Sequence, residues 1–146
     1  MTTLTLQGEL GRRVLVTVRG YEREEALDPY DANWLRCSAE VEQGAFRGAV
    51  EASFATSDFS RFLSELDQVM NGSGAVASFT TMEEALDFRV EVDRAGRATV
   101  TGKLRELGGL GADLSFAFES DRSFLTAAHS DLKRIVATFP ERAIGT

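Results

Sequence analysis

Stretches in which apolar and polar residues alternate recur along this chain, and they set the strongest limit on its fold. Val14, Val16 and Val18 form one such series, and Leu35, Cys37, Ala39 and Val41 a second. Phe46, Gly48, Val50, Ala52 and Phe54 form a third, and Leu86, Phe88, Val90 and Val92 a fourth. A period of two puts these side chains on one face of a β-strand. The alternate positions carry Arg36, Glu40 and Glu42, or Asp87, Arg89 and Glu91, so each strand buries one face only, as antiparallel sheets do. Shorter strands are predicted at Thr3–Gln7, around 75–80, and at Leu114, Phe116 and Phe118.

Two segments break the alternation with helical spacing. Phe59, Phe62, Leu63, Leu66, Val69 and Met70 follow Ser57, the expected N-cap, and Asn71-Gly72 supplies a left-handed stop. Phe124, Leu125, Ala128, Leu132, Ile135, Val136 and Phe139 follow Ser120-Asp121 and end at Pro140. The expected fold is α+β: an antiparallel β-sheet of about seven or eight strands with two amphipathic helices on one face. Residues 1–146 are expected to form one domain, and a strand-rich-plus-helix unit over 1–72 and again over 73–146 suggests an internal repeat.

Two hairpins can be registered from the sequence. Pairing Glu42 with Ala45 sets Val41 opposite Phe46, Cys37 opposite Val50 and Leu35 opposite Ala52, with Glu40 against Arg47 and Arg36 against Glu51 outside. Pairing Asp93 with Arg97 sets Val90 opposite Val100, Phe88 opposite Gly102 and Leu86 opposite Leu104, around a turn with Gly96 left-handed. Phe88 and Phe116 are expected to cover the gap at Gly102.

Charge is unevenly placed. Residues 21–70 hold eleven acids and four bases, net −7, which equals the excess of the whole chain. Glu22, Glu24, Glu25, Asp28 and Asp31 crowd one polar loop. Such a field opposes nucleic acid and would favour a basic partner, but on charge alone a merely solvated acidic loop is the favoured reading. The N-terminal MTTLTLQGEL lacks the basic and apolar regions of a signal peptide, and no apolar run is long enough to span a bilayer. A single cysteine excludes an internal disulfide. A cytoplasmic chain that engages neither membrane nor nucleic acid is expected.

Catalytic equipment is sparse. His129 is the only histidine and sits beside the apolar stripe of the second helix, where a structural role is expected. Cys37 has the inward parity of its strand and reads as a small buried hydrophobe. One His and one Cys rule out a conventional Cys/His zinc site within the monomer. Asp28, Asp31 and Asn33 lack EF-hand spacing, and Gly108-Gly109-Leu110-Gly111 lacks the Lys-Ser/Thr of a phosphate loop. No catalytic residue, metal ligand or cofactor is assigned. Trp34 falls on the outward, charged face of its strand, either roofed by the acidic loop with Tyr30 or serving as a binding anchor; the roofed reading is favoured.

The segment Tyr30-Asp31-Ala32-Asn33-Trp34-Leu35, with Gly20-Tyr21 upstream, resembles the DANWL-type signature of the bacterial WapI-like immunity-protein group and related bacterial domains. Gly44-Ala45-Phe46-Arg47-Gly48, Phe59 through Leu66, Thr81-Met82-Glu83 and the final helix ending in Phe139-Pro140 are similar too, so the likeness covers most of the chain. It implies a non-enzymatic protein that binds and neutralises a toxin domain, here a basic one. The expected partner-binding residues are Glu22, Glu24, Glu25, Asp28, Tyr30, Asp31, Asn33 and Trp34. The alternatives are a small-ligand module with a cavity between sheet and helices, or a structural domain. The sequence leaves the oligomeric state open.

Overall fold

The computed structural model describes residues 2–25 and 28–143. Its strands divide into two four-stranded antiparallel sheets. The first, in the order β1-β2-β3-β4, comprises β1 (Thr2–Gln7), β2 (Arg13–Tyr21), β3 (Trp34–Gln43) and β4 (Phe46–Ala55). The second, β5-β6-β7-β8, comprises β5 (Val76–Phe79), β6 (Leu86–Val92), β7 (Ala98–Arg105) and β8 (Asp113–Ser120). A short α1 (Pro29–Ala32) precedes β3, while α2 (Thr56–Asn71) and α3 (Arg122–Thr138) each follow the last strand of a sheet. Four strands and a helix thus occur twice in succession.

Each long helix crosses to the other half: α3 lies along β1, α2 lies along β5, and the two helices pack together. Both contacts use a carboxylate. Asp131 of α3 accepts the Thr5 N–H at 2.9 Å, and Glu65 of α2 accepts the Ser78 N–H at 3.0 Å. Each stands ten residues beyond its helix's N-cap, Asp121 and Ala55 respectively. An exposed edge strand presents unpaired backbone donors, and these acids close two of the four edges.

The inward parity read from the sequence holds: Val14, Val16, Val18, Leu35, Cys37, Ala39, Val41, Leu86, Phe88 and Val90 are all buried. So does the β6–β7 register, with Phe88 opposite Gly102 and Asp87 opposite Lys103. The β3–β4 hairpin departs from expectation by two residues: Gln43 pairs with Phe46, Cys37 with Ala52 and Leu35 with Phe54. The reason is the turn. Gly44, at φ +62°, takes the first of two central positions, as a type II′-like turn requires, and the loop becomes Gly44-Ala45 instead of Gln43-Gly44. A two-residue slide preserves which face each side chain occupies, so the core survives it. Arg47 still reaches Glu40 diagonally at 2.8 Å, whereas Glu51 meets Arg19 at 3.6 Å rather than Arg36.

Two further expectations are corrected. Phe46 is 68% exposed, because it lies at the hairpin end; farther along β4, Gly48 faces Leu104 and Leu114 of the second sheet. The first long helix starts one residue before Ser57, capped through Asp58, whose carboxylate accepts the Ala55 N–H at 2.8 Å. Its stop at Gly72, φ +84°, and the Asp121 cap on α3 agree with the sequence. Five phenylalanines, Phe54, Phe59, Phe62, Phe79 and Phe88, form the centre of the core between β4, α2 and the second sheet.

Candidate functional site

The acidic loop is held by its own backbone. Asp28 caps α1, accepting the Asp31 N–H at 2.9 Å, with Pro29 at the first helical position. Asn33 is buried, and its amide grips the distant Arg142 backbone at both ends. Its Oδ1 accepts the Arg142 N–H at 2.7 Å, and its Nδ2 donates to the Arg142 carbonyl at 3.2 Å. The Asn33 carbonyl accepts the N–H of Thr56, tying the motif to the start of α2.

Arg142 reaches back into the loop. Its guanidinium donates to the carbonyls of Ala32 (2.9 Å from Nε), Glu24 (3.0 Å) and Arg23 (2.8 Å), and lies 3.7 Å over the Tyr21 ring. Tyr21 in turn packs edge-on against Phe139. Burial raises the Tyr21 phenol above its usual pKa, partly offset by Arg142. One cation therefore neutralises carbonyl dipoles under the loop and leaves the carboxylates to face outward. Sequence reading did not single out Arg142. Its loop partners stand 109 to 119 residues away, and no local pattern marks it.

Asn33→Ala should lower stability by about 2 kcal/mol, because it removes a buried amide and leaves the part-buried N–H and carbonyl of Arg142 without their partner. Chemical denaturation checks the magnitude, and faster proteolysis within residues 22–32 checks that the loss is local. A cost within ~0.5 kcal/mol would mean that the clamp contributes nothing.

The carboxylates of residues 21–70 separate into two groups. Most of those on the sheet and α2 have a partner: Glu40 and Glu42 pair with Arg47 and Arg13, Glu51 with Arg19 and Asp58 with Arg61, while Asp67 hydrogen-bonds His129 and Glu65 accepts the Ser78 N–H. Glu24, Glu25 and Asp28 are exposed and Asp31 is half-buried, and none of the four has an ion-pair partner among the described residues. Glu22 is exposed and accepts a hydrogen bond from Ser53. The side chain of Tyr30 lies outside the described part of the structure. The excess charge thus resides on the loop.

Trp34 is half-buried and forms one wall of an open groove of about 430 Å³ beside that loop. Thr56 and Asp58 at the start of α2, Arg61, Met82 of the β5–β6 loop, and Glu141 complete it. Arg61 bridges its two sides, bonding Asp58 at 3.1 Å and the Thr80 carbonyl at 2.8 Å. Burial holds the Asp58 carboxyl above its usual pKa, against the pull of the Ala55 N–H and Arg61.

The residues considered for chemistry lie elsewhere. Cys37 is buried, and desolvation pushes its thiol up to about 12, so it is not a nucleophile near neutral pH. His129 bonds Asp67 and joins α3 to α2. Among the described residues no cluster of His, Cys, Asp and Glu is arranged to hold a metal. No helix of the described residues is long and apolar enough to cross a membrane.

A model of the immunity protein WapI-like family matches residues 5–140, from β1 to the end of α3 and just beyond. The chain belongs to that family. The resemblance carried by the DANWL segment thus stands, and in this family member Asn33 and Ala32 of the motif hold the acidic loop onto Arg142. No curated protein matches by sequence. Among solved structures, one titled as MRP1/MRP2 of Trypanosoma brucei is similar at a TM-score of 0.50 and 11% identity, over 93% of this chain and 83% of that one. At that identity the likeness concerns the fold alone.

Proposed function

We propose that this family member is a non-catalytic immunity protein, acting in the cytoplasm, that binds a basic bacterial toxin domain through the loop from Glu22 to Asn33 and the adjoining Trp34. Family membership supports the immunity role. The single observation that carries the surface is the contrast in charge pairing: Glu24, Glu25 and Asp28 are exposed and without ion-pair partners among the described residues, beside a backbone clamped by Arg142. Anionic side chains on backbone held by Arg142 on either side, at Arg23–Glu24 and at Ala32, would steer a cationic partner and lose little entropy on docking. Glu22, Glu24, Glu25, Asp28, Tyr30 and Asp31 would supply the charge and rim, Trp34 the aromatic anchor, and Asn33 the rigidity beneath. The same field disfavours nucleic acid.

Binding to a basic toxin domain that this protein neutralises should weaken by on the order of 100-fold in the E24K/E25K/D28K variant at low salt, with a flattened salt dependence. E119K, a charge reversal on an exposed position of β8, should leave both unchanged. Calorimetric titration across salt concentrations reads the two effects together. If the triple variant binds with unaltered affinity and salt slope, the loop is not the docking surface.

One observation favours a second reading. The groove beside Trp34 has the size of a small-molecule site, and Thr56 Oγ1 is buried there without a hydrogen-bond partner among the described residues. A metabolite that raised the melting temperature in the absence of toxin, and lost that effect in Trp34→Ala, would support a ligand module instead.

A further inference from the structure

Of the four sheet edges, β1 and β5 are closed by the helix carboxylates Asp131 and Glu65. The β8 edge is crossed by Gln43, whose Nε2 donates to the Ala117 carbonyl at 2.7 Å. β4 is different. It pairs only with β3. Among the described residues, no backbone N–H or carbonyl of residues 46–53 bonds to anything beyond that ladder.

Its outward positions can be identified. The Thr56 N–H bonds the Asn33 carbonyl, which makes 33 and 56 a hydrogen-bonded pair in the β3–β4 register. Such pairs alternate along an antiparallel ladder, so Phe46, Gly48, Val50, Ala52 and Phe54 bond β3. Arg47, Ala49, Glu51 and Ser53 therefore present their N–H and carbonyl groups at the open edge. The strand contains no proline or lysine, and its pairing with β3 has no bulge; its exposed charges, Arg47 and Glu51, are of opposite sign.

We propose that this edge joins two copies of the chain, pairing antiparallel about a two-fold axis through Ala49. The occupant follows from charge. A two-fold centred on Ala49 sets Arg47 opposite Glu51 of the second copy, and Glu51 opposite its Arg47. Both side chains are exposed on the same face of the sheet, at 63% and 76%. Each already belongs to an ion pair, Arg47 with Glu40 and Glu51 with Arg19. The joined sheets would extend these into one row of alternating charge, while Gly48 meets Val50 on the other face. Shifting the axis by one residue, to Val50, faces Glu51 with Ala49 and removes the complementarity. About six backbone hydrogen bonds form in the proposed register, an isologous contact of the kind closed dimers use.

The test is sedimentation velocity on the intact chain from about 1 μM to about 1 mM. The wild type should show a reversible dimer. Ala49→Pro removes an N–H that β3 does not use, so it should abolish the dimer while the melting transition and circular dichroism remain native. R47E and E51R should each weaken the dimer on the order of 10-fold or more, since like charges then oppose each other twice. Mixing R47E with E51R should restore association as a heterodimer, since opposite charges then face each other at both positions. A chain that stays monomeric throughout the range overturns the proposal, as does a dimer indifferent to Ala49→Pro, or a mixture that fails to recover.

Discussion

Phe79→Ala is expected to lower stability by about 3–5 kcal/mol and the melting temperature by roughly 10 °C or more. Phe79 is fully buried, with ring centroids 5.3 Å from Phe54, 5.5 Å from Phe59, 5.9 Å from Phe62 and 5.3 Å from Phe88. These four rings come from β4, from two turns of α2, and from β6, so the vacated space lies where three elements meet. Collapse into it would require β4, α2 and β6 to move together. The expected penalty therefore includes the unfilled cavity as well as the lost transfer free energy. Phe79→Leu, which keeps most of the volume, should cost about half as much. Denaturant titration of both variants measures the difference, and equal losses would show that the ring contacts contribute nothing beyond apolar area.

Gly102→Ala should cost about 3 kcal/mol, and here the sign is the decisive observation. Where space allows, replacing glycine by alanine stabilises by about 0.4–1 kcal/mol, through the reduced entropy of the unfolded chain. At Gly102 an added Cβ would sit 2.3 Å from the Asp87 carbonyl oxygen, 2.5 Å from Phe88 Cβ and 2.7 Å from Phe116 Cζ. The end of the Phe116 ring can swing away. The Asp87 backbone cannot, because β6 is tied to its neighbours on both sides. Overpacking should prevail. Adding Phe116→Leu should recover only the part due to the ring. A neutral or stabilising Gly102→Ala would mean that β6 and β7 are farther apart at this point.

Much of this was legible from period and parity. Alternation named the buried face of β2, β3, β6 and β8 because the pleat turns every second side chain the same way, regardless of what lies above it. Caps and stops were local as well: Asp121 and Gly72 act on backbone groups within a few residues. The β6–β7 register was legible because Gly96, at φ +85°, allows only one placement of its turn. The β3–β4 register was not. Gly44 can occupy either central position of a two-residue loop, and both choices keep the same core face and juxtapose Arg47 with an acid.

The candidate site divides in the same manner. Its charge is a property of composition, visible in Glu22, Glu24, Glu25, Asp28 and Asp31 before any coordinate. Which carboxylates stay unpaired is legible only in part: the hairpin set Glu40 against Arg47, but Glu42 and Glu51 lie in the same acidic stretch and meet Arg13 and Arg19 only through the position of β2 in the sheet. The same holds for Asn33, which as a sequence motif looked like a surface residue and in the fold is buried against a backbone 109 residues away.

Local chemistry, then, decided the strands, their inward faces, the helix ends and the sign of the loop, because each depends on neighbours a few residues apart. Long-range packing decided the rest. It divided the strands into two sheets, crossed α3 to β1 and α2 to β5, and set Arg142 beneath the acidic loop. These contacts join residues far apart in the chain, whose energies depend on how the two halves fit together, and no pattern of residues along one strand or helix encodes that fit.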